Sequence, residues 1–188
     1  MRAPVTGGGN DNRAMSRRTP IFLVLLPWLI AACTPVYNWR EVRLPDAGIK
    51  LLLPCKPDHA KRTLPLAGQE VELQMAGCEA GAALFAISHV KSKDDSSIQA
   101  AQQEWRAAML RNMQSTQEVQ MAPIKLAGFT AQPHLVRLEA RGRRQDGSAV
   151  TAQALWFGHG AHLYHAVVYA DKLNLDAVDT FFSSIELQ

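Results

Sequence analysis

Apolar and polar residues alternate along several segments beyond residue 38, and this period of two predicts half-buried β-strands. The clearest segment is 134–141, where Val136, Leu138 and Ala140 alternate with charged side chains. Asp146 followed by Gly147 is a strong signal for a tight hairpin turn. The other strands are predicted at 39–44, 49–53, 63–66, 70–76, 82–90, 118–126, 149–157 and 163–170.

Two segments have apolar residues at helical spacing instead. The first is 97–114, where Ser96 and Gln99 match a capping box, and the second follows Asn174, a favoured cap residue. Hairpins with two separate helices predict an α+β fold, in which two principal helices pack on a mainly antiparallel sheet. The residues expected to face the core are Ile98, Ala101, Trp105, Ala108, Met109 and Met113 in the first helix, and Leu175, Val178, Phe182 and Ile185 in the second.

A charge-free apolar segment at 21–32 follows Arg17 and Arg18. It has the length of a signal-peptide core and is shorter than the roughly 20 residues that cross a bilayer. We therefore expect 1–32 to be a signal peptide, 33–38 a lipidated tether and 39–188 a single globular domain. Met15 begins a typical basic n-region and is an alternative start of translation.

The end of the apolar segment, Leu29-Ile30-Ala31-Ala32-Cys33, resembles the lipobox of bacterial lipoproteins. The resemblance implies that Cys33 is acylated, becomes the new amino terminus, and anchors the protein in a bilayer of the cell envelope, facing the periplasm. Thr34 in place of Asp implies the outer rather than the inner membrane in a Gram-negative host. The alternatives are an ordinary secretory signal and a transmembrane anchor.

The formal charge of +3 is carried entirely by residues 1–32, which contain four arginines and one aspartate. The rest of the chain has equal numbers of basic and acidic residues, so we expect no nucleic-acid partner. With Cys33 assigned to the lipid, Cys55 and Cys78 remain, and in an oxidising compartment such a pair usually forms a disulfide. Two buried free thiols are the alternative, since the pair lacks the C-x-x-C spacing of a redox site.

Four short motifs occur in 39–188: Trp39-Arg-Glu-Val42, Leu53-Pro-Cys-Lys-Pro57, Gly77-Cys78 and Phe181-Phe-Ser-Ser184. They are similar to those of the PsbP-like or Mog-type fold and of small uncharacterised envelope proteins of proteobacteria. The better-known members of that fold are non-enzymatic accessory proteins that dock onto larger complexes, so the resemblance implies such a role. It implies no ligand-binding residue, and none of the motifs is a catalytic fingerprint.

Histidines are the first candidates for chemistry, because His159, His162 and His165 lie close in sequence and imidazole is a common metal ligand. Residues three apart in a strand face opposite sides, so His162 and His165 share an ion only in a bulge or a helix. We therefore expect ordinary turn and sheet histidines, and neither a metal nor another cofactor.

Arginines are the second candidates, because Arg141, Arg143 and Arg144 crowd the hairpin that turns at 146–147. Such a loop tip is a candidate contact for phosphate headgroups or an acidic partner. The alternative is a solvated turn whose charges only keep the protein soluble.

Taken together, these features favour a membrane-anchored envelope lipoprotein that acts as a non-catalytic accessory or binding module with an envelope protein as partner. No G-x-S-x-G elbow and no H-E-x-x-H motif occurs in the sequence, so an enzyme is not expected. Two alternatives stay open. One is a membrane-tethered enzyme with an unrecognised site that uses a metal near 159–165, and the other is a carrier of a small apolar ligand between helix and sheet.

Overall fold

The computed structural model describes residues 35–93, 97–130 and 134–188, so Cys33 and the predicted signal peptide lie outside the described residues. Residues 34–188 form one compact unit. The α+β prediction is confirmed, because most of the described elements are antiparallel strands and two are α-helices. The elements are β1 Arg40–Leu44, β2 Ile49–Leu53, β3 Asp58–Leu66, β4 Gln69–Ala80, β5 Ala83–Lys91, α1 Ile98–Asn112, β6 Gln117–Gln120, β7 Val136–Arg143, β8 Ala149–His159, β9 His162–Ala170, α2 Leu175–Ser183 and β10 Glu186–Leu187.

Seven strands form a large sheet in the order β3-β4-β5-β9-β8-β7-β6, and every pair of neighbours is antiparallel. β8 and β9 lie near the middle of the sheet and are buried along most of their length, because layers cover both faces. The turn predicted at Asp146 and Gly147 is present. Gly147 has a φ of 84°, and the Asp146 carboxylate accepts a 2.9 Å hydrogen bond from the Ser148 amide.

Helix α1 covers one face of the large sheet. Its apolar stripe lies where the spacing predicts, since Ile98, Ala101, Met109 and Met113 are all buried in this layer. The predicted capping box starts at Ser96, which lies outside the described residues. Apolar side chains of β7, β8 and β9 form the opposing surface of this core.

A second, three-stranded sheet in the order β1-β2-β10 covers the other face together with α2. β1 and β2 match the strands predicted at 39–44 and 49–53, but the sequence pattern indicates neither their separation from the large sheet nor the pairing of β2 with β10. Residues Ile49, Leu51 and Leu53 of β2 alternate into this core, as the strand period requires. Tyr164 of β9 donates a hydrogen bond from its hydroxyl to the Ala47 carbonyl, so the hairpin turn is fastened to the central strand.

Helix α2 begins as predicted, because the Asn174 side chain accepts a 3.1 Å hydrogen bond from the Ala177 amide. The prediction that Leu175 faces the core is wrong, since it is 61% exposed at the first helical position. Phe181 is buried instead, beside Phe182. The helix packs through the face that begins at Ala177, which turns Leu175 toward solvent.

The strand predicted at 118–126 is shorter than expected, because β6 ends at Gln120. Pro123 has no amide hydrogen for a sheet ladder, so a strand through this position is disfavoured. The chain leaves the sheet edge, and Leu126 packs in the core on the side of the small sheet. Ala127 then bridges Glu186 in parallel, and its carbonyl accepts a 3.0 Å hydrogen bond from the Leu187 amide.

The predicted disulfide between Cys55 and Cys78 is confirmed, with 5.9 Å between the two Cα atoms. Cys55 lies in the connection that leaves the small sheet, and Cys78 lies in β4 of the large sheet. The bond therefore joins the two sheets covalently. Within the described residues, no helix is both long enough and apolar enough to cross a membrane.

Candidate functional site

The three clustered histidines are divided between the two faces of the large sheet. His159 ends β8 and pairs with His162 at the start of β9. His165 lies on the opposite side, toward α1, where its ring packs against Trp105. Among the described residues, no group of three or more histidine, cysteine or acidic side chains is arranged to hold a metal ion.

His89 of β5 lies beside His162, with 5.8 Å between the ring centroids. The sequence pattern gave no indication of this pair. Both residues line a polar pocket of about 340 Å³ together with Asp46, Glu72 and Lys91. Burial, with a smaller contribution from His162, lowers the pKa of His89 to about 4. Burial also lowers the pKa of His162, and imidazoles that stay neutral can donate or accept a hydrogen bond with a polar ligand.

His165 is the most deeply buried ionisable group on the α1 side of the sheet, with 5% of its surface exposed. Its ring stacks on Trp156 of β8 at 4.4 Å between centroids, and Trp105 of α1 meets it edge-on at 5.2 Å. Burial lowers the pKa of His165 to about 3, so the ring is neutral at ordinary pH. Its Nε2 and the Trp156 Nε1 are buried without a hydrogen-bond partner among the described residues.

An apolar cleft of about 260 Å³ opens beside His165, between α1 and strands β3, β4, β5 and β9. Trp105 and Ala108 of the apolar stripe line it, and both remain half-buried. Tyr169 also lines the cleft, and burial raises the pKa of its phenol to about 12.

A larger open groove of about 610 Å³ shares Asn112 and Tyr169 with this cleft. It lies where the β4–β5 turn, the end of α1 and the β7–β8 hairpin converge. Arg143 and Arg144 line it, together with Glu79 of β4. The groove therefore carries charges of both signs.

The three candidate arginines all have partners at this hairpin. Arg141 forms a 3.2 Å ion pair with Glu139, and Arg143 donates a 2.9 Å hydrogen bond to the Gly147 carbonyl. Arg144 bonds to the carboxylate of Asp171. These contacts are exposed, so an incoming anion competes with weak surface pairs rather than with a buried one.

The Phe181-Phe-Ser-Ser184 motif has a structural role at the end of α2. The Ser184 hydroxyl donates to the Phe181 carbonyl at 2.7 Å and accepts from the Leu52 amide at 2.9 Å. This joins α2 to β2 of the small sheet. Phe181 packs edge-on against Phe85 of β5 at 5.6 Å between centroids.

Comparison with known proteins identifies no family. No protein-family model and no curated protein matches the chain. A crystal structure from Bacteroides thetaiotaomicron aligns with 79% of this chain at 12% identity and a TM-score of 0.42, and the chain spans only 48% of that protein. A protein of unknown function from Pseudomonas aeruginosa aligns with 71% of this chain and 83% of its own length, at 16% identity and a TM-score of 0.31. Neither likeness carries a function to this chain.

Proposed function

We propose that the protein is a bacterial lipoprotein, anchored through acylated Cys33, whose periplasm-facing domain binds an envelope partner without catalysing a reaction. One observation carries the proposal: Leu29-Ile30-Ala31-Ala32-Cys33 ends a charge-free apolar segment that follows Arg17 and Arg18. The disulfide between Cys55 and Cys78 agrees with it, because such bonds persist in oxidising compartments. In a Gram-negative host, Thr34 favours the outer membrane.

We further propose that the domain has the PsbP-like or Mog-type fold. The order of elements supports this: two hairpin-rich halves flank α1, and α2 follows the last hairpin, with only the short β10 after it. The motif residues support it as well, because Cys55, Cys78 and Ser184 make the contacts that fasten the small sheet and α2 to the rest. In this proposal the domain is an accessory module, and the groove beside Arg143 and Arg144 is its contact surface for an acidic partner or for phosphate headgroups.

Membrane fractionation of cells that express the full chain tests the anchor. Two or three acyl chains stabilise attachment by about 0.8 kcal/mol per buried methylene, so the protein remains in the membrane after a high-salt wash. Cys33→Ser removes the acylated thiol and is expected to abolish acylation and leave the unprocessed signal segment. Cys55→Ser is the matched control and keeps the acyl chains. Equal acylation of the Cys33→Ser and unmodified proteins would contradict the proposal.

Site-specific photocrosslinking in cells tests the contact surface. A photoreactive residue in place of Arg143 is expected to yield a discrete adduct, because this side chain lines the groove. The same residue in place of the exposed Lys61, on β3 and outside the groove, is the control. Equal amounts of adduct at residues 143 and 61 would show that the groove is not the specific contact surface. The absence of an adduct at residue 143 would contradict a partner at the groove.

A further inference from the structure

One end of the large sheet gathers three connections that the register of the strands places side by side. The register pairs Ala80 with Ala83, Ala83 with Ala170, Ala170 with Thr151, and Thr151 with Arg141. Beyond this row lie the β4–β5 turn, the segment that leads from β9 to α2, and the β7–β8 hairpin. We call these connections, residues 81–82, 171–174 and 144–148, the hairpin end of the sheet. The β8–β9 turn lies at the opposite end.

The chain that precedes β1 is fastened to the hairpin end. Tyr37 packs on Gly81 of the β4–β5 turn so closely that a Cβ on this glycine would lie 2.5 Å from the tyrosine hydroxyl. Its ring also meets Phe85 edge-on, with 6.3 Å between the centroids. The next amide, of Asn38, donates a 2.7 Å hydrogen bond to the Pro54 carbonyl. The start of the domain is therefore held in place beside the β4–β5 turn.

The short distance in sequence between Tyr37 and the proposed anchor limits where a bilayer can lie. Cys33 precedes Tyr37 by four residues. An extended chain spans at most about 3.5 Å per residue, so these residues reach about 14 Å in any conformation. Strand β8 alone spans about 33 Å between the two ends of the sheet. A bilayer that holds Cys33 must pass close to Tyr37, so the domain cannot stand on the opposite end.

Exposed apolar side chains are found near the hairpin end. Val36 is exposed directly before Tyr37, and Leu84 is exposed beside the β4–β5 turn, where it lines the groove described above. The chain leaves β9 at this end and begins α2 with Leu175, which is also exposed. Exposed apolar side chains that lie together, rimmed by polar groups, are typical of a membrane or protein contact.

Charged side chains of both signs surround these apolar groups. Arg143 and Arg144 line the groove, and Lys172 follows β9. Glu79 lines the same groove, and Asp171 pairs with Arg144. A zwitterionic headgroup carries a phosphate for the basic side chains and an ammonium group for the acidic ones. The mixture therefore fits a layer of phospholipid headgroups better than a purely acidic partner.

We propose that the hairpin end faces the bilayer that holds Cys33, with the exposed apolar side chains at the boundary of the headgroups and the groove beside Arg143 and Arg144 against lipid phosphates. Of the two contacts proposed for this groove, the orientation selects the headgroups. It directs the opposite end, with the polar pocket of His89 and His162, toward the periplasm. The orientation rests on the proposed anchor at Cys33.

The test compares how far the two ends of β8 lie from the headgroups. The full chain, purified from membranes, is placed in phosphatidylcholine nanodiscs that contain a lipid with a Gd³⁺ chelate on its headgroup. Trifluoromethylphenylalanine replaces Gln145 or His159, which are both exposed, and its ¹⁹F relaxation is measured against nanodiscs with La³⁺. The paramagnetic effect falls with the sixth power of distance, and β8 separates the two positions by about 33 Å, so we expect it to be at least about tenfold larger at residue 145.

A pair of variants tests the apolar contact. Leu84→Ser combined with Leu175→Ser removes two exposed apolar side chains, so the domain is expected to rotate on its tether and the ratio of the two effects to fall by at least about twofold. Val119→Ser removes an exposed apolar side chain from β6 and is the matched control, which leaves the ratio unchanged. An unchanged ratio in the folded double variant would overturn the apolar contact.

The mass of the purified chain, measured first, separates failure of the anchor from failure of the orientation. An unacylated Cys33 would contradict the anchor and the orientation together. In an acylated chain, equal relaxation effects at residues 145 and 159, or a larger effect at residue 159, would overturn the orientation and leave the anchor standing. These two readings use the native apolar side chains, so they decide the matter even where the double variant fails to fold.

Discussion

The imidazole of His165 stacks on the indole of Trp156, with 4.4 Å between the ring centroids and 16° between the ring planes. The two residues are direct partners across β8 and β9. The contact lies in the centre of the sheet under α1, where a charged imidazole would lose its hydration without gaining a counter-charge. Stability of the fold and neutrality of this ring are therefore coupled.

Acidification is expected to destabilise the domain through His165 and His89. Their pKa values in the folded protein are about 3 and about 4, below the ordinary 6.5 of an unfolded chain. Between each of these folded values and pH 6.5, the unfolded chain therefore binds more protons than the folded one. The free energy of unfolding therefore falls as the pH is lowered from about 6.5, by at most about 1.4 kcal/mol per pH unit for each histidine. Above about pH 7 neither group contributes to the dependence.

Urea unfolding at pH 7, 5.5 and 4.5 measures this slope. His165→Phe is expected to reduce it by about one proton, because the replacement cannot titrate. His59→Gln, which changes an exposed histidine of β3, is expected to leave the slope unchanged. A slope in His165→Phe equal to that of the unmodified chain would show that the buried ring is not the acid-sensitive group.

Loss of the disulfide is expected to lower stability by about 3 kcal/mol, since Cys55 and Cys78 close a loop with a sequence separation of 23. The double variant Cys55→Ser with Cys78→Ser, and the unmodified chain with reductant, should give the same decrease in urea unfolding. Cys33→Ser is the control and should leave the free energy of unfolding of the domain unchanged. A decrease below about 1 kcal/mol would mean that the bond hardly constrains the unfolded chain.

Gly142 of β7 is expected to tolerate no side chain. A Cβ at this position would lie 2.1 Å from the carbonyl oxygen of Met113, a backbone atom at the end of α1. Gly142→Ala should therefore cost about 1–3 kcal/mol of stability, the range for an overpacked site. Arg141→Ala, one residue away and exposed, should change thermal unfolding by less than about 0.5 kcal/mol. Equal effects would show that the strand moves to relieve the contact.

The arginine hairpin is expected to contribute to binding on anionic vesicles. Replacing Arg141, Arg143 and Arg144 with Ser in the domain 34–188, produced without the signal segment and the acylated cysteine, should weaken vesicle cosedimentation by at most about 1 kcal/mol per arginine, and by less where a carboxylate already pairs with the arginine. The control removes three exposed basic residues elsewhere, through Lys56→Ser, Lys61→Ser and Arg62→Ser. Equal weakening by the two triple variants would show that binding depends on net charge and not on the position of the arginines.

Local patterns in the sequence predict most of the fold. The helices at Ile98 and Asn174, the hairpin at Gly147 and the disulfide all follow from spacing, turn chemistry or cysteine count. The early end of β6 agrees with the interruption expected at Pro123, which has no amide hydrogen for a sheet ladder. The three-stranded sheet does not follow, because the pairing of β10 with β2 joins residues far apart in sequence and leaves no local signal.

The candidate sites are less predictable for the same reason. His89 and His162 meet only because β5 and β9 pair, and no motif links the two positions. The alternation of side chains in β9 does predict that His162 and His165 face opposite sides. The sequence pattern does not predict the cleft beside His165. The periodicity predicts the helix, whereas the cleft depends on how far α1 lies from the sheet.

The amino terminus of the mature protein tests the central claim, which is the anchor at Cys33. Mass spectrometry of a tryptic digest of protein extracted from membranes is the direct measurement, since cleavage after Arg40 releases the peptide 33–40. We expect this peptide to begin at Cys33 and to carry the mass of two or three acyl chains and their glycerol. A mature chain that begins at another residue, or an unmodified Cys33, would contradict it.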